Sequence, residues 1–370
     1  MKLPIPEYIA SIVPYPPGKP LDELERQYGI SNAIKLASNE NPWGPSPKAT
    51  SAIAAVLADL HRYPDGSSYN LTQALAKHLA CPPEMLVLGN GSNEVIEFLV
   101  KACMQPGDEA ICSHPSFLMY QKFVQIRGGK NIVVPLAQMR HDFETILARV
   151  NERTRLIFLD NPNNPTGSFF AKDALLQLCR ALPPTLVLVL DEAYVDFVDP
   201  AQSFNSVELI QQQTDGPLVV SLRTFSKAYG LAGLRLGFGI MPAPLAAMLH
   251  RVRQPFNINT LAQVGALAAL EDSAHYQRTI NGTRAGMAFL HEELHKLGCV
   301  CHPSQANFFL IDVGGDANRL YEAMLYKGVI VRSMHAYGYA NCIRITVGTE
   351  EENARFVTAL GECLNELHYG

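Results

Sequence analysis

From about Leu36 onward the chain keeps repeating one unit: a short apolar, β-branched run, a polar or Gly/Pro-containing turn, then a longer stretch with helical spacing. Such runs occur at 85–88, 110–113, 131–134, 155–159, 186–190, 218–221 and 236–240. Several are almost continuously apolar, as strands become when helices cover both faces of a sheet. The alternation of strand and helix predicts an α/β fold around a mostly parallel seven-stranded sheet sandwiched by helices. The segment 242–297 is rich in Ala, Leu, Gln and Arg and reads as long helices, 262–271 being the plainest. After Gly298 shorter strands return at 307–313, 329–332 and 342–346, with helices between and after them.

At 370 residues the chain exceeds what one core usually serves. The expected division is an N-terminal arm over 1–35 packing with the small domain, a large domain over 36–260, and a smaller α+β domain over 261–370. Apolar residues make up 48% and charged residues 18%, which predicts a chain folded throughout. The net charge is −5 and no Lys/Arg run forms a stripe, so the electrostatic footprint of a nucleic-acid binder is missing. The eight cysteines are scattered, with no spacing suited to a metal, and read as reduced thiols. Prolines break the apolar stretch near the start, and no run reaches the ~18 apolar residues of a membrane span. A cytoplasmic setting is expected.

Several polar clusters directly follow apolar runs, and open α/β sheets bind ligands at the carboxyl ends of their strands. Asp160-Asn-Pro-Asn-Asn-Pro-Thr-Gly167 follows one run, Asp191-Glu-Ala-Tyr194 a second, and Ser226-Lys227 closely follows a third. Taken singly these are a turn, a helix cap and a surface lysine. Together they match the needs of pyridoxal 5'-phosphate (PLP). That cofactor requires a lysine to hold it, an acid against its pyridine nitrogen, and donors at its phenolic oxygen. Lys227, Asp191, and the pair Asn164 and Tyr194 fit these parts.

The cofactor's phosphate needs amides, hydroxyls and a cation. Gly89-Asn-Gly91-Ser92-Asn93-Glu94 links a strand to a helical stretch, a ready anion site at a helix N-terminus, although a Gly-rich turn capped by Ser or Asn has the same composition. Thr224 and Ser226 flank the lysine, and Arg235, eight residues beyond it, suits bidentate phosphate contact. Phe117, in His114-Pro-Ser-Phe117, emerges at a strand end where it can stack on the pyridine ring or simply fill the core.

The ordered series GNGSNE, HPSF, DNPNNPTG, DEAY, RTFSKAYGLAGLRLG and CIRITVGT resembles the fold-type-I PLP aminotransferases, and most closely the histidinol-phosphate aminotransferases, from about Tyr15 to Thr349. The resemblance implies that Lys227 is the Schiff-base lysine, that Asp191, Asn164 and Tyr194 hold the ring, and that Ser92, Asn93, Thr224, Ser226 and Arg235 bind the phosphate. It also implies a homodimer, because Tyr63 in His61-Arg-Tyr63-Pro matches a tyrosine that reaches the neighbouring subunit's cofactor. Arg344 matches the arginine that grips a substrate's anionic group, and Arg332 a second one used for a substrate phosphate. Tyr15 and Asn39 match positions that close over the substrate. Members often carry tyrosine where this chain has Phe117, so stacking carries over and a hydroxyl contact does not.

The reaction so implied is a two-stage amino transfer from L-histidinol phosphate to 2-oxoglutarate, physiologically reversed in histidine biosynthesis, with no metal. Two rivals keep the fold: an aromatic amino-acid aminotransferase and a threonine-phosphate decarboxylase. The runs AYGLAGLRLG and RITVGT are more similar to the transaminase. A non-catalytic PLP-fold regulator is disfavoured by the intact pair Lys227 and Asp191.

Overall fold

The computed structural model describes residues 4–14, 24, 26 and 29–369. Its first strand, β1 (Ile34–Lys35), is only two residues long. Seven further strands follow: β2 (Leu86–Asn90), β3 (Glu109–His114), β4 (Lys130–Pro135), β5 (Thr154–Asp160), β6 (Val187–Asp191), β7 (Leu218–Thr224) and β8 (Leu236–Ile240). They form one sheet in the order β2-β8-β7-β6-β5-β3-β4. Only β8 runs against its neighbours, pairing antiparallel with both β2 and β7. The seven apolar runs expected to build the large sheet all lie in it, with ends shifted by no more than three residues.

Alternate side chains along the strands enter different cores. Ile157, Leu159, Leu188 and Leu190 join one buried cluster, whereas Leu156, Phe158, Val187 and Val189 join another. A period of two therefore puts apolar residues on both faces, which explains the continuous apolar runs. It also leaves only the strand ends free for polar chemistry.

The smaller unit is a four-stranded antiparallel sheet in the order β12-β13-β10-β9, with β9 at Val300–Cys301, β10 at Phe308–Asp312, β12 at Arg332–Ser333 and β13 at Cys342–Thr346. The expected strand over 329–332 is instead divided. Its first part, β11 (Val329–Ile330), pairs parallel with β1, and the chain then switches so that β12 pairs with β13. Helices Ala317–Tyr326 and Glu350–Leu367 cover this sheet, and Leu290 and Leu294 of the long helix Ser273–Lys296 enter its core. The same long helix sends Ile280 into a cluster with Tyr194, Ala228 and Phe308, so it ties the small sheet to the region of the strand ends.

Two details differ from the expected domain limits. Helix Thr260–Leu270 buries Ala262, Ala266 and Ala269 in the core of the large sheet, so it packs with the large unit even though it follows residue 260. The arm is also split. Ser11 and Tyr8 lie against Gln125 and Gly128, at the end of the large unit's helix Met119–Ile126, whereas Leu24 is buried with Leu325 and Ile330 of the small one. Among the described residues no helix is long and apolar enough to cross a membrane. The eight cysteines are free.

Candidate active site

Parallel strands bring their carboxyl ends to one edge, and Asp160 and Asp191 end β5 and β6 directly opposite each other in register. Both are buried. The Asp160 carboxylate has its own donors, the amide of Asn164 at 2.8 Å and the side chain of Asn163 at 3.0 Å, and the buried His141 ring, bonded to the Asp160 backbone carbonyl at 3.0 Å, lies 3.4 Å from Oδ1. Asp191 accepts from the Tyr120 hydroxyl at 2.8 Å and from the Ala193 amide at 3.1 Å. Burial pushes Asp191 up to about 7, the Tyr120 hydrogen bond opposes the rise, and the nearby Asp160 charge adds to it. An acid so poised becomes a strong anion once a cation is set against it.

Lys227 lies three residues beyond β7, and its Nζ sits 5.6 Å from the centre of the Tyr194 ring and donates to the Ser38 carbonyl at 3.3 Å. Burial lowers the amine to about 8; the Arg344 charge assists and the Glu40 charge opposes. The Tyr194 hydroxyl is pushed up to about 12 by burial and so keeps its proton. It accepts from Asn39 at 2.9 Å and from the Asn164 amide nitrogen at 3.4 Å. Asn164 is fixed from the other side, because Nη1 of Arg344 donates to its Oδ1 at 2.6 Å. That bond leaves the NH2 group of Asn164 facing the Tyr194 hydroxyl.

Asp160, Asp191, Asn164, Tyr194, Lys227, Ser38 and Glu40 line a cavity of about 430 Å³ that also takes in Phe117, Gly91, Ser92, Asn93, Thr224, Ser226 and Arg235. Ser92 opens the helix Ser92–Cys103, and Gly91, its N-cap, has a φ of 79°. A Cβ on Gly91 would stand 2.7 Å from Nη2 of Arg235, and one on Gly237 would stand 2.2 Å from the amide nitrogen of Ser92. Glycine at both positions lets β8 and the arginine close tightly on the helix N-terminus. The result is a cradle of amides, hydroxyls and one guanidinium, suited to a phosphate dianion.

A second cavity of about 170 Å³ shares Ser38, Phe117, Asn164, Tyr194 and Lys227 with the first and adds Asn39, Tyr337, Arg332 and Arg344. The two arginines are directly opposite partners on β12 and β13. Arg344 is buried, with Nη2 donating to the Ala37 carbonyl at 2.8 Å and its guanidinium 5.1 Å from the Phe308 ring centre. Two cations set side by side in one pocket repel unless an anion lies between them. The arrangement therefore joins a phosphate cradle, an amine, an acid and a double-arginine anion site around one space.

Residues 31–360 match the family model for aminotransferase class I and II. The chain belongs to this family. Over 369 residues it is 61% identical to the histidinol-phosphate aminotransferase of Desulfotalea psychrophila, covering 100% of this chain and 97% of that protein. It is 45% identical to histidinol-phosphate aminotransferase 1 of Nitrosococcus oceani, covering 97% of this chain and 96% of that protein. The crystal structure of histidinol-phosphate aminotransferase from Sinorhizobium meliloti in complex with pyridoxal-5'-phosphate superposes with a TM-score of 0.90 at 28% identity, covering 99% of each chain.

In this aminotransferase the residues expected from the sequence meet around the two cavities, with two exceptions. Tyr63 is 83% exposed and stacks on Phe256 with ring centres 4.9 Å apart, away from both cavities of its own chain. Tyr15 lies outside the described residues. Sequence reasoning missed Tyr120, Asp160, His141, Ser38, Glu40 and Tyr337. Asp160 had a signal, since it ends an apolar run at the level where Asp191 ends the next. Tyr120 had only its position three residues after Phe117, and nothing local marks a tyrosine that turns inward.

Proposed function

We propose that the chain exchanges an amino group between L-histidinol phosphate and 2-oxoglutarate, yielding imidazole-acetol phosphate and L-glutamate, with PLP held on Lys227. The reaction runs in the opposite sense in histidine biosynthesis. The observation that carries this reading is the cross-strand pair Arg332 and Arg344 beside Lys227, because such a pocket suits substrates with an anionic group at one end and an amine at the other. The relatives named above, similar over nearly their whole length, support the substrate.

Bound PLP supplies an electron sink that stabilises negative charge on the substrate carbon bearing the amino group. Asp191 would pair with the ring nitrogen and keep it protonated. Asn164 and Tyr194 would donate to the phenolic oxygen, Phe117 would stack on the ring, and Gly91, Ser92, Asn93, Thr224, Ser226 and Arg235 would hold the phosphate. Lys227, whose amine burial holds near 8 in the cofactor-free chain, would take the proton from the substrate carbon and return it. Arg344 and Arg332 receive a carboxylate in one half of the cycle and a phosphate in the other, which lets glutamate and the phosphate ester use one site.

A homodimer completes the site in this reading. Tyr63, Phe256, Leu57, Leu60 and Tyr69 are large exposed apolar side chains, and Tyr63 reaches the phosphate of the second copy. The setting is the cytoplasm.

The test mixes the cofactor-loaded protein with histidinol phosphate, glutamate, phenylalanine and threonine phosphate and follows the visible band of the bound cofactor. Histidinol phosphate and glutamate should both remove the band faster than phenylalanine or threonine phosphate. Phenylalanine outpacing histidinol phosphate would give the substrate pocket to an aromatic amino acid, and carbon dioxide release from threonine phosphate would make the chain a decarboxylase. Lys227→Ala should lose the band and turnover while keeping the fold.

A further inference from the structure

Tyr120 is fully buried, yet its hydroxyl needs a partner, since a buried polar group without one is costly. The partner is Oδ2 of Asp191 at 2.8 Å. Aromatic packing fixes the ring that delivers it: Tyr120 stacks on Phe158 with centres 4.8 Å apart and planes 4° from parallel, and meets Phe117 edge-on at 5.5 Å. Among the described residues it is the one side chain that donates to Asp191, the other donor being the Ala193 amide. Asp160 on β5 and Glu192, next in the chain, bear on the carboxylate as negative neighbours, and the Tyr194 hydroxyl and the Lys227 amine also interact with it. The Asp160 carboxylate has Asn163 and Asn164 for its own needs, with the His141 ring 3.4 Å away.

Resting on the proposed function above, we infer that Tyr120 is a positioning residue: by donating to Asp191 it holds that carboxylate charged and in place, so that the ring nitrogen of bound PLP keeps its proton. Burial holds the Tyr120 hydroxyl itself protonated, so it acts as a donor throughout the working pH range. Without it, Asp191 would keep one hydrogen bond while its burial and its carboxylate neighbours remained. A carboxylate left in that state binds a proton more tightly and draws it away from the pyridine nitrogen. One short helix, Met119–Ile126, thus places the donor to the acid, and the turn just before it carries the stacking ring Phe117.

The test uses holoenzyme reconstituted with PLP labelled with 15N in the ring. In the wild type the bound nitrogen should resonate near the pyridinium position. Tyr120→Phe keeps the ring and removes only the hydroxyl; its resonance should move toward neutral pyridine, PLP affinity should fall on the order of tenfold, and kcat should fall with KM for glutamate little changed. Replacing Tyr120 by 3-fluorotyrosine keeps the fold and makes the donor more acidic, and should move the resonance further toward pyridinium even if Tyr120→Phe fails to fold. A resonance at the same position in all three proteins would overturn the inference alone. A wild type that binds no labelled PLP would remove the proposed function, and this inference with it.

Discussion

Arg344 on β13 and Asn164 in the loop after β5 are joined by a 2.6 Å hydrogen bond from Nη1 to Oδ1, which links the small sheet to the end of the large one. The same guanidinium lines the cavity that holds Arg332, and the same amide donates to Tyr194 in a cavity shared with Lys227. An anion that engages Arg344 therefore bears directly on Asn164, the residue proposed above to orient the cofactor ring.

Arg344→Lys tests that link. Lysine keeps the charge but cannot bond Asn164, the Ala37 carbonyl and an anion in one plane. KM for glutamate should rise about 10- to 100-fold, with a fall in kcat because Asn164 loses its anchor. Arg332→Gln should raise KM for histidinol phosphate more than for glutamate and leave kcat nearly unchanged. Steady-state kinetics with both donors separates the two patterns, and equal effects of the two variants on both donors would contradict the division of labour.

The stability of the cofactor-free protein should carry the mark of Asp191. Burial raises this acid from 3.8 to about 7, so between these values the folded chain holds a proton that the unfolded chain has released. Stability is then lost as pH rises through that window. Lys227, lowered by burial from 10.5 to about 8, acts in the opposite sense at higher pH, where the folded chain has released a proton that the unfolded chain keeps, and stability rises with pH. Asp191→Asn should remove the first effect. Urea unfolding at pH 5 and pH 7 should show the wild type losing on the order of 1 to 3 kcal/mol more than the variant over that step.

Gly237→Ala is expected to damage the phosphate cradle without touching any charged group. The added Cβ would lie 2.2 Å from the Ser92 amide nitrogen and 2.7 Å from the Gly91 carbonyl carbon, both backbone atoms that cannot swing aside. The helix N-terminus must shift, at a cost of roughly 1 to 3 kcal/mol for overpacking. Calorimetry of the cofactor-free protein should show a lower Tm, and titration with PLP a weaker Kd. An unchanged Kd would mean that the amide of Ser92 contributes nothing to phosphate binding.

The sequence carried much of this arrangement because the large sheet is written in local patterns. Each strand of it is an apolar run, and each ligand-bearing turn follows one, so the places of Asp191, Asn164 and Lys227 at or just beyond strand ends are legible in the sequence. What stayed hidden depends on contacts far apart in the chain. The switch from β11 to β12 inside the single run VIVRS is set by two different partners, β1 and β13, and no local signal marks it. Tyr120 turns inward because Phe158 offers a stacking surface and Asp191 an acceptor, 38 and 71 residues further along the chain. Helix Thr260–Leu270 reads as the start of a new unit, yet its alanines present a flat face that packs on the large core.

Tyr63 sits outside the cavities of its own chain, and its predicted service to a second copy has a distinctive outcome. Tyr63→Ala leaves Lys227 intact, and Lys227→Ala leaves Tyr63 intact, so each homodimer has two defective sites. When the two variants are mixed and exchange subunits, every heterodimer contains one site with Lys227 from one copy and Tyr63 from the other, and one site lacking both. Random exchange makes half the dimers mixed, so activity should recover to about a quarter of the wild-type value per site, as two-fold symmetry requires. Sedimentation of each variant alone checks that the dimer survives, since Tyr63 also stacks on Phe256. Recovery to no more than the sum of the separate variants, with dimers intact and exchange verified by differently tagged subunits, would confine each site to a single chain.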